Sequence, residues 1–186
     1  MIYPIVVFGD PILKKRAVDI SENTPEIQKL VSDMFETMYE ANGVGLAAPQ
    51  IGKGIRLFVV DAEPLDKEKL KGFKKVFINP EILEESGEEW GFEEGCLSIP
   101  GIRTEVKRHA NVKLKYLDEN FVEHIEDFDG FKARVIQHEY DHLEGVLFVD
   151  LVSPLKKQLI KSKLTNISRG KVDADYRVKL PTTGRR

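Results

Sequence analysis

The sequence predicts an α+β fold. Strand-like segments come in runs, few helices interrupt them, and the 186 residues fit one domain of ordinary size. A chain of this length can bury a core without disulfides or structural metals.

The opening Met1–Phe8 is apolar but short. No basic residue precedes it and no small-residue cleavage site follows, so it is expected to be an edge strand or pocket-facing segment, not a signal peptide. The first helix follows Thr24, a good N-cap, with Pro25 at its first position. Ile27, Leu30, Val31, Met34, Phe35 and Met38 recur at helical spacing as one apolar face, and Asn42-Gly43 ends it. Residues 55–60 and 76–78 read as strands, the second closed by Pro80, with a charge-rich solvated loop over 66–75 between them. Val112, Leu114 and Tyr116 alternate with Lys113 and Lys115, a half-buried strand. Asp118-Glu119-Asn120 turns it into an antiparallel partner over 121–125. A second helix runs from Asp129-Gly130 to Leu143, with Gly145 just past its end. Residues 146–149 form a short strand, and Ser153-Pro154 starts a third helix that buries Leu155, Leu159, Ile160 and Leu164.

Composition narrows the class. Hydrophobic residues make up 41% and charged residues 32%, and no apolar run is long enough to span a bilayer. Cys96 is the only cysteine, so no disulfide can form within the chain, which suits a reducing compartment. The net charge of −3 is unevenly spread. Residues 161–186 hold eight basic side chains against two acidic ones, a balance of +6, which leaves −9 on residues 1–160. Such a tail reads either as a solvated end or as a contact for a polyanion such as RNA.

One motif carries chemistry: His138-Glu139-Tyr140-Asp141-His142. Residues four apart on a helix stand one above the other, so these two imidazoles can hold one metal ion together. Glu139 lies about 100° further round. There it can reach a water beside the ion without being a ligand. That suits metal-assisted hydrolysis; the bland alternative is two packing histidines. An open catalytic site needs a third protein ligand. Six residues after His142 stands Phe148, not a histidine, and no glutamate follows Glu144. Both familiar protease layouts therefore lack a ligand. Asp173 and Asp175 lie in a tail expected to be flexible. Upstream remain Cys96, His109 and His124. The two histidines sit among charged neighbours and read as surface residues. Cys96 sits in a turn-rich stretch between Gly91 and Gly101 that can aim its side chain at a site. A thiolate beside two neutral imidazoles makes a competent open metal site.

Three blocks together, 43–50 (GVGLAAPQ), 94–98 (EGCLS) and 137–145 (QHEYDHLEG), closely resemble the bacterial peptide deformylases. The resemblance covers residues 1–164, expected to be a single catalytic domain, and implies nothing precise for the basic tail of 165–186. It implies antiparallel β-sheets packed around a central helix that carries residues 138–142, with a C-terminal helix. It implies a cytoplasmic, metal-dependent hydrolase that removes the N-formyl group from the N-terminal methionine of newly synthesised polypeptides and releases formate. Cys96, His138 and His142 would be the metal ligands and Glu139 the group that moves protons. The side-chain amide of Gln50 and the backbone N–H of Leu97 would stabilise negative charge on the former carbonyl oxygen. Val44, Phe92, Phe131 and Val135 would line a methionine pocket. Gly45 would offer backbone groups to a substrate strand, with Gly95 and Arg103 also touching the peptide. The Arg134 charge must then point away from that pocket. Ligand chemistry alone points to zinc; the resemblance implies Fe2+, with Zn2+, Ni2+ or Co2+ able to substitute.

The competing readings are a metalloprotease or other amidase with an open cleft, a binding protein whose metal has a fourth protein ligand, and an inactive relative. The expected partners are N-formylmethionyl nascent peptides and, through the basic tail, the ribosome; no membrane or DNA partner is expected. A truncation after Ser168 is expected to spare activity on short peptides.

Overall fold

The computed structural model describes residues 1–181; Thr182–Arg186, which include the tail residues Arg185 and Arg186, lie outside the described residues. A five-stranded antiparallel sheet runs in the order β2 (Gly45–Ala47), β3 (Leu57–Asp61), β4 (Lys74–Cys96), β5 (Ile99–Leu117) and β6 (Glu123–Asp129). Helix α1 (Pro25–Glu40) precedes it. Helix α2 (Gly130–Leu143) follows β6 directly and packs against β2, β3, β5 and β6. Helix α3 (Pro154–Ser168) lies against β5. Outside this sheet, β1 (Ile5–Val6) pairs in parallel with β7 (Val178–Lys179).

Local chemistry explains most of these elements. Thr24 caps α1 by accepting the N–H of Ile27, and the apolar stripe read from the sequence is the face that packs inward. Asn42 takes a positive φ of 54°, and the Gly43 N–H returns to the Met38 carbonyl, which closes the helix. The core under the sheet is aromatic: Phe77 lies 4.7 Å from Phe58, 4.6 Å from Tyr116 and 5.9 Å from Phe128, centroid to centroid. Helix α2 buries residues on several faces, including Ala133, Val135, Ile136, Glu139, His142 and Leu143. It is the central helix of the fold. Gly145, at φ 73°, ends that helix where a Cβ would lie 2.6 Å from the Lys14 carbonyl oxygen, so only glycine fits.

Several expectations need correction. Pro80 does not end a strand. Strand β4 continues through it, because Asn79-Pro80 falls in a register shift between Ile78 and Glu81 where no ladder donor is required. The Asn79 amide locks that bulge by exchanging two hydrogen bonds of 2.8 Å with the Ile20 backbone. The turn-rich stretch around Cys96 is not a loop. It is the tip of the long β4–β5 hairpin, with only Leu97-Ser98 between the strands. Residues 146–149 form no strand; Phe148–Asp150 is a 3-10 turn in which the Asp150 carboxylate accepts the Leu147 N–H. The third helix begins as expected, with Ser153 as its cap. Leu155 and Leu159, however, are 69% and 71% exposed; the face that packs carries Ile160, Leu164 and Ile167 instead.

Helix α3 continues past 164/165 to Ser168, and the chain then returns across the body. Val178 and Lys179 pair with β1, and the Tyr176 hydroxyl donates to the Leu97 carbonyl. The basic balance and few periodic apolar positions of this stretch predict a solvated segment. Backbone pairing, which composition does not register, is what binds it. No helix among the described residues is long and apolar enough to cross a membrane.

Candidate metal centre and substrate cavity

Two elements bring the motif residues together. Helix α2 presents His138 and His142 one turn apart, with ring centroids 5.2 Å from each other. The tip of the β4–β5 hairpin presents Cys96, whose Sγ lies 3.3 Å from Nε2 of His142. One donor atom from each of Cys96, His138 and His142 lies within 4.8 Å of the other two. Among the described residues this is the one such cluster of three. A thiolate and two imidazoles are donors that divalent first-row metals accept, and three protein donors leave one position of a tetrahedron open. The residues present fit a metal ion.

The electrostatics fit as well. Burial drives the pKa of His142 well below the ordinary histidine value, which keeps its imidazole neutral. At His138 burial also disfavours charge, but hydrogen bonds with Cys96 and Glu94 outweigh it, and the pKa lies well above the ordinary value. Cys96 and Glu94 thus favour positive charge at His138, while His142 is held neutral. His138 Nδ1 is bonded to Glu94 at 2.9 Å, which turns its Nε2 to the ion's side. Beneath it packs Phe148, 5.9 Å away ring to ring. The position at which a longer protease motif would carry a histidine here supports one of the ligands.

Glu139 stands beside the cluster, 4% exposed. Burial, against the pull of His138, pushes its carboxyl up to about 7. Its Oε2 has no hydrogen-bond partner. It is closely approached by Gly45: a Cβ there would lie 2.8 Å from the Glu139 Cδ and closer still to its Oε1. The glycine of the first block is therefore required by contact, not by backbone freedom. Gln50 is 1% exposed, in a 3-10 turn after β2. Its Oε1 accepts the Ala47 N–H at 2.8 Å, which points the amide nitrogen at Cys96 Sγ (3.5 Å) and the Ser98 hydroxyl (3.3 Å).

One cavity of about 520 Å³ opens onto this cluster. Val44, Gly45, Gln50, Phe92, Gly95, Cys96, Leu97, Arg103, Phe131, Val135, His138 and Glu139 all line it, so every expected site residue except the buried His142 meets there. Phe92 and Phe131 meet edge to face at 5.2 Å and form an apolar wall with Val44 and Val135. His109 and His124 are elsewhere: the first bonds the Gly87 carbonyl, the second stacks on Tyr116 and bonds Asp118. Asp173 and Asp175 line the cavity but are not part of the donor cluster.

The comparisons with known proteins agree with this geometry. The sequence model of the family described as polypeptide deformylase matches residues 2–158. The chain belongs to that family. The peptide deformylase of Cytophaga hutchinsonii is 59% identical over 97% of this chain and 98% of its own length. That of Christiangramia forsetii is 52% identical over 97% of each. The crystal structure of a peptide deformylase from Legionella pneumophila superposes with a TM-score of 0.80 at 42% identity, covering 92% of this chain and 98% of that one.

Some of what holds this deformylase-family site together was not legible in the sequence. Glu94, 5% exposed, binds His138 on one side and the guanidinium groups of Arg108 and Arg134 on the other, at 2.7–3.1 Å. Burial alone would raise the Glu94 pKa, but the His138 and Arg108 hydrogen bonds hold it well below the usual carboxylate range. Arg108 also reaches Asp141 at 2.8 Å. Arg134 is buried at 3% exposure, stacked 4.1 Å from the Trp90 ring and neutralised by Glu94, which is how a charge sits beside an apolar pocket. Glu94 lay inside a quoted block, but nothing in the spacing pointed to Arg108, Trp90 or Tyr176.

Glu94→Gln should destabilise the fold by roughly 3–5 kcal/mol, since it leaves two buried guanidinium groups without their shared carboxylate. Urea unfolding measures this, and a loss under about 1 kcal/mol would show that the network is dispensable.

Proposed function

We propose that the Cys96–His138–His142 centre carries out the reaction of its family: hydrolytic removal of the N-formyl group from the N-terminal methionine of new polypeptides, releasing formate. The observation that carries this reading is one cavity, lined by two donors of the three-residue cluster, that joins it to a buried carboxylate and an apolar wall. A divalent metal held by Cys96, His138 and His142 would supply Lewis-acid activation of water and of the carbonyl near neutral pH. Glu139 accepts a proton from the attacking water and returns it to the departing amine. Burial raises its pKa, the direction that favours accepting a proton. The Gln50 amide and the Leu97 N–H donate to the oxygen on which negative charge develops, each worth roughly 3–4 kcal/mol in the transition state. Val44, Phe92, Phe131 and Val135 receive the methionine side chain, while Gly45, Gly95 and Arg103 hold the peptide. The catalytic unit is residues 1–164, with 165–186 as its basic segment.

For the working metal we assign Fe2+, with Zn2+, Ni2+ or Co2+ able to replace it. Donor chemistry alone would favour zinc; the family resemblance of the three blocks favours iron. The substrate is a nascent chain, so the proposed location is the cytoplasm. The basic segment supports a ribosome contact: Lys161, Lys163, Arg169, Lys171, Arg177 and Lys179 are all exposed.

Formyl-Met peptides should be cleaved far faster than acetyl-Met peptides, and more so anaerobically with ferrous iron than with zinc. An extra methyl where the formyl hydrogen sat overpacks the site by roughly 1–3 kcal/mol. Comparable rates on acetylated peptides or on casein would favour a general amidase or protease. Glu139→Gln should lower kcat by about 10²–10⁴-fold with metal content unchanged; metal loss in proportion to activity would make Glu139 a ligand instead. Reversing Lys161, Lys163 and Lys171 to Glu should weaken cosedimentation with ribosomes at low salt, with the difference shrinking as salt rises. Equal binding at low salt would remove the ribosome role.

A further inference from the structure

The hairpin turn that carries Leu97 has only two residues between Cys96 and Ile99, which pair across it. In so short a turn the remaining freedom is rotation of the peptide planes about their ends. Two contacts from outside the sheet remove it. The Phe8 N–H donates to the Ser98 carbonyl at 2.8 Å, and the Tyr176 hydroxyl donates to the Leu97 carbonyl at 2.7 Å. Both donors belong to the small β1–β7 layer: Phe8 follows β1, and Tyr176 precedes β7. The Tyr176 ring is half-buried against the same apolar cluster as the Leu97 side chain. Residues 173–176 also line the cavity. Tyr176, β7 and residues 173–176 lie beyond residue 158, where the family match ends, whereas Phe8 and the turn itself lie within it.

We propose that Tyr176 is a positioning residue for deformylation: it pins the Leu97–Ser98 peptide plane and, with Cys96 paired to Ile99 across the turn, restrains through the Leu97 Cα the preceding plane that carries the Leu97 N–H. This rests on the reading of Leu97 as an oxyanion donor. A donor contributes most when it is already aimed at the place where charge develops, because no reorganisation is then needed during reaction. The returning C-terminal segment therefore braces the catalytic unit from outside it. Truncation after Ser168, which composition alone suggested would be harmless, removes both Tyr176 and β7.

Tyr176→Phe tests the idea because it keeps the ring and deletes only the hydrogen bond. On a formyl-Met peptide, kcat should fall about five- to tenfold while KM changes by less than about twofold, since the aim of the donor matters chiefly in the transition state. Metal content and Tm should stay near those of the unsubstituted protein. A two-dimensional amide spectrum of the zinc-loaded protein supplies a readout independent of turnover. The Leu97 and Ser98 resonances should move and their amide exchange should quicken, with α2 resonances unchanged. An unmoved Leu97 amide, or an unchanged kcat, would overturn the proposal. Absence of deformylation by the unsubstituted protein would sink the reading of the site instead, and the amide spectrum would still decide the role of Tyr176.

Discussion

Glu94 is the carboxylate on which the site turns. It sits near the end of β4, two residues before Cys96, and is almost fully buried. Its oxygens bind Arg108 from β5 and both Arg134 and His138 from α2. One anion thus ties two strands to the central helix at the level of the donor cluster. Burying it costs desolvation, and two guanidinium groups and an imidazole N–H offset that cost. The same contacts set which nitrogen of His138 faces the cluster. This tie fixes the hairpin end that carries Cys96 against the helix that carries both histidines.

Around that anchor, small residues and tight turns do the remaining placement. Gly45 lets the edge strand β2 approach Glu139, so the carboxylate is pressed into a site where burial raises its pKa. Gln50 has its oxygen occupied by the Ala47 N–H, which leaves its donors for the cavity side. The two-residue turn at Leu97-Ser98 is held by Phe8 and Tyr176, which flank the β1–β7 pair. Gln50 and the Leu97 turn are thus each fixed by a second contact, a general requirement for preorganised catalysis.

The misread elements share a cause. Pro80 reads as a strand end because proline lacks a ladder donor, but a bulge removes the need for one. Leu155 and Leu159 read as core because they are apolar; which side of α3 packs was decided by the position of β5, which favours Ile160, Leu164 and Ile167. The segment after α3 reads as solvated because its side chains are polar, yet its backbone pairs with β1. In all three the side-chain pattern is local information, and the outcome depended on a distant partner.

Local chemistry is legible in the chain alone: the α1 stripe with its Thr24 cap, the α2 helix ending at Gly145, and two histidines and a glutamate at spacings only a helix makes useful. These follow from short-range periodicity and capping, which a chain carries wherever it folds. Cys96 was reached by excluding other ligands, and three blocks tied it to a family. Only tertiary structure decided how the centre is held. Glu94 meets Arg108 and Arg134 across 14 and 40 residues of chain, and Tyr176 meets Leu97 across 79. No periodicity spans such separations; those pairs exist because the folded sheet and helix bring them within hydrogen-bonding distance.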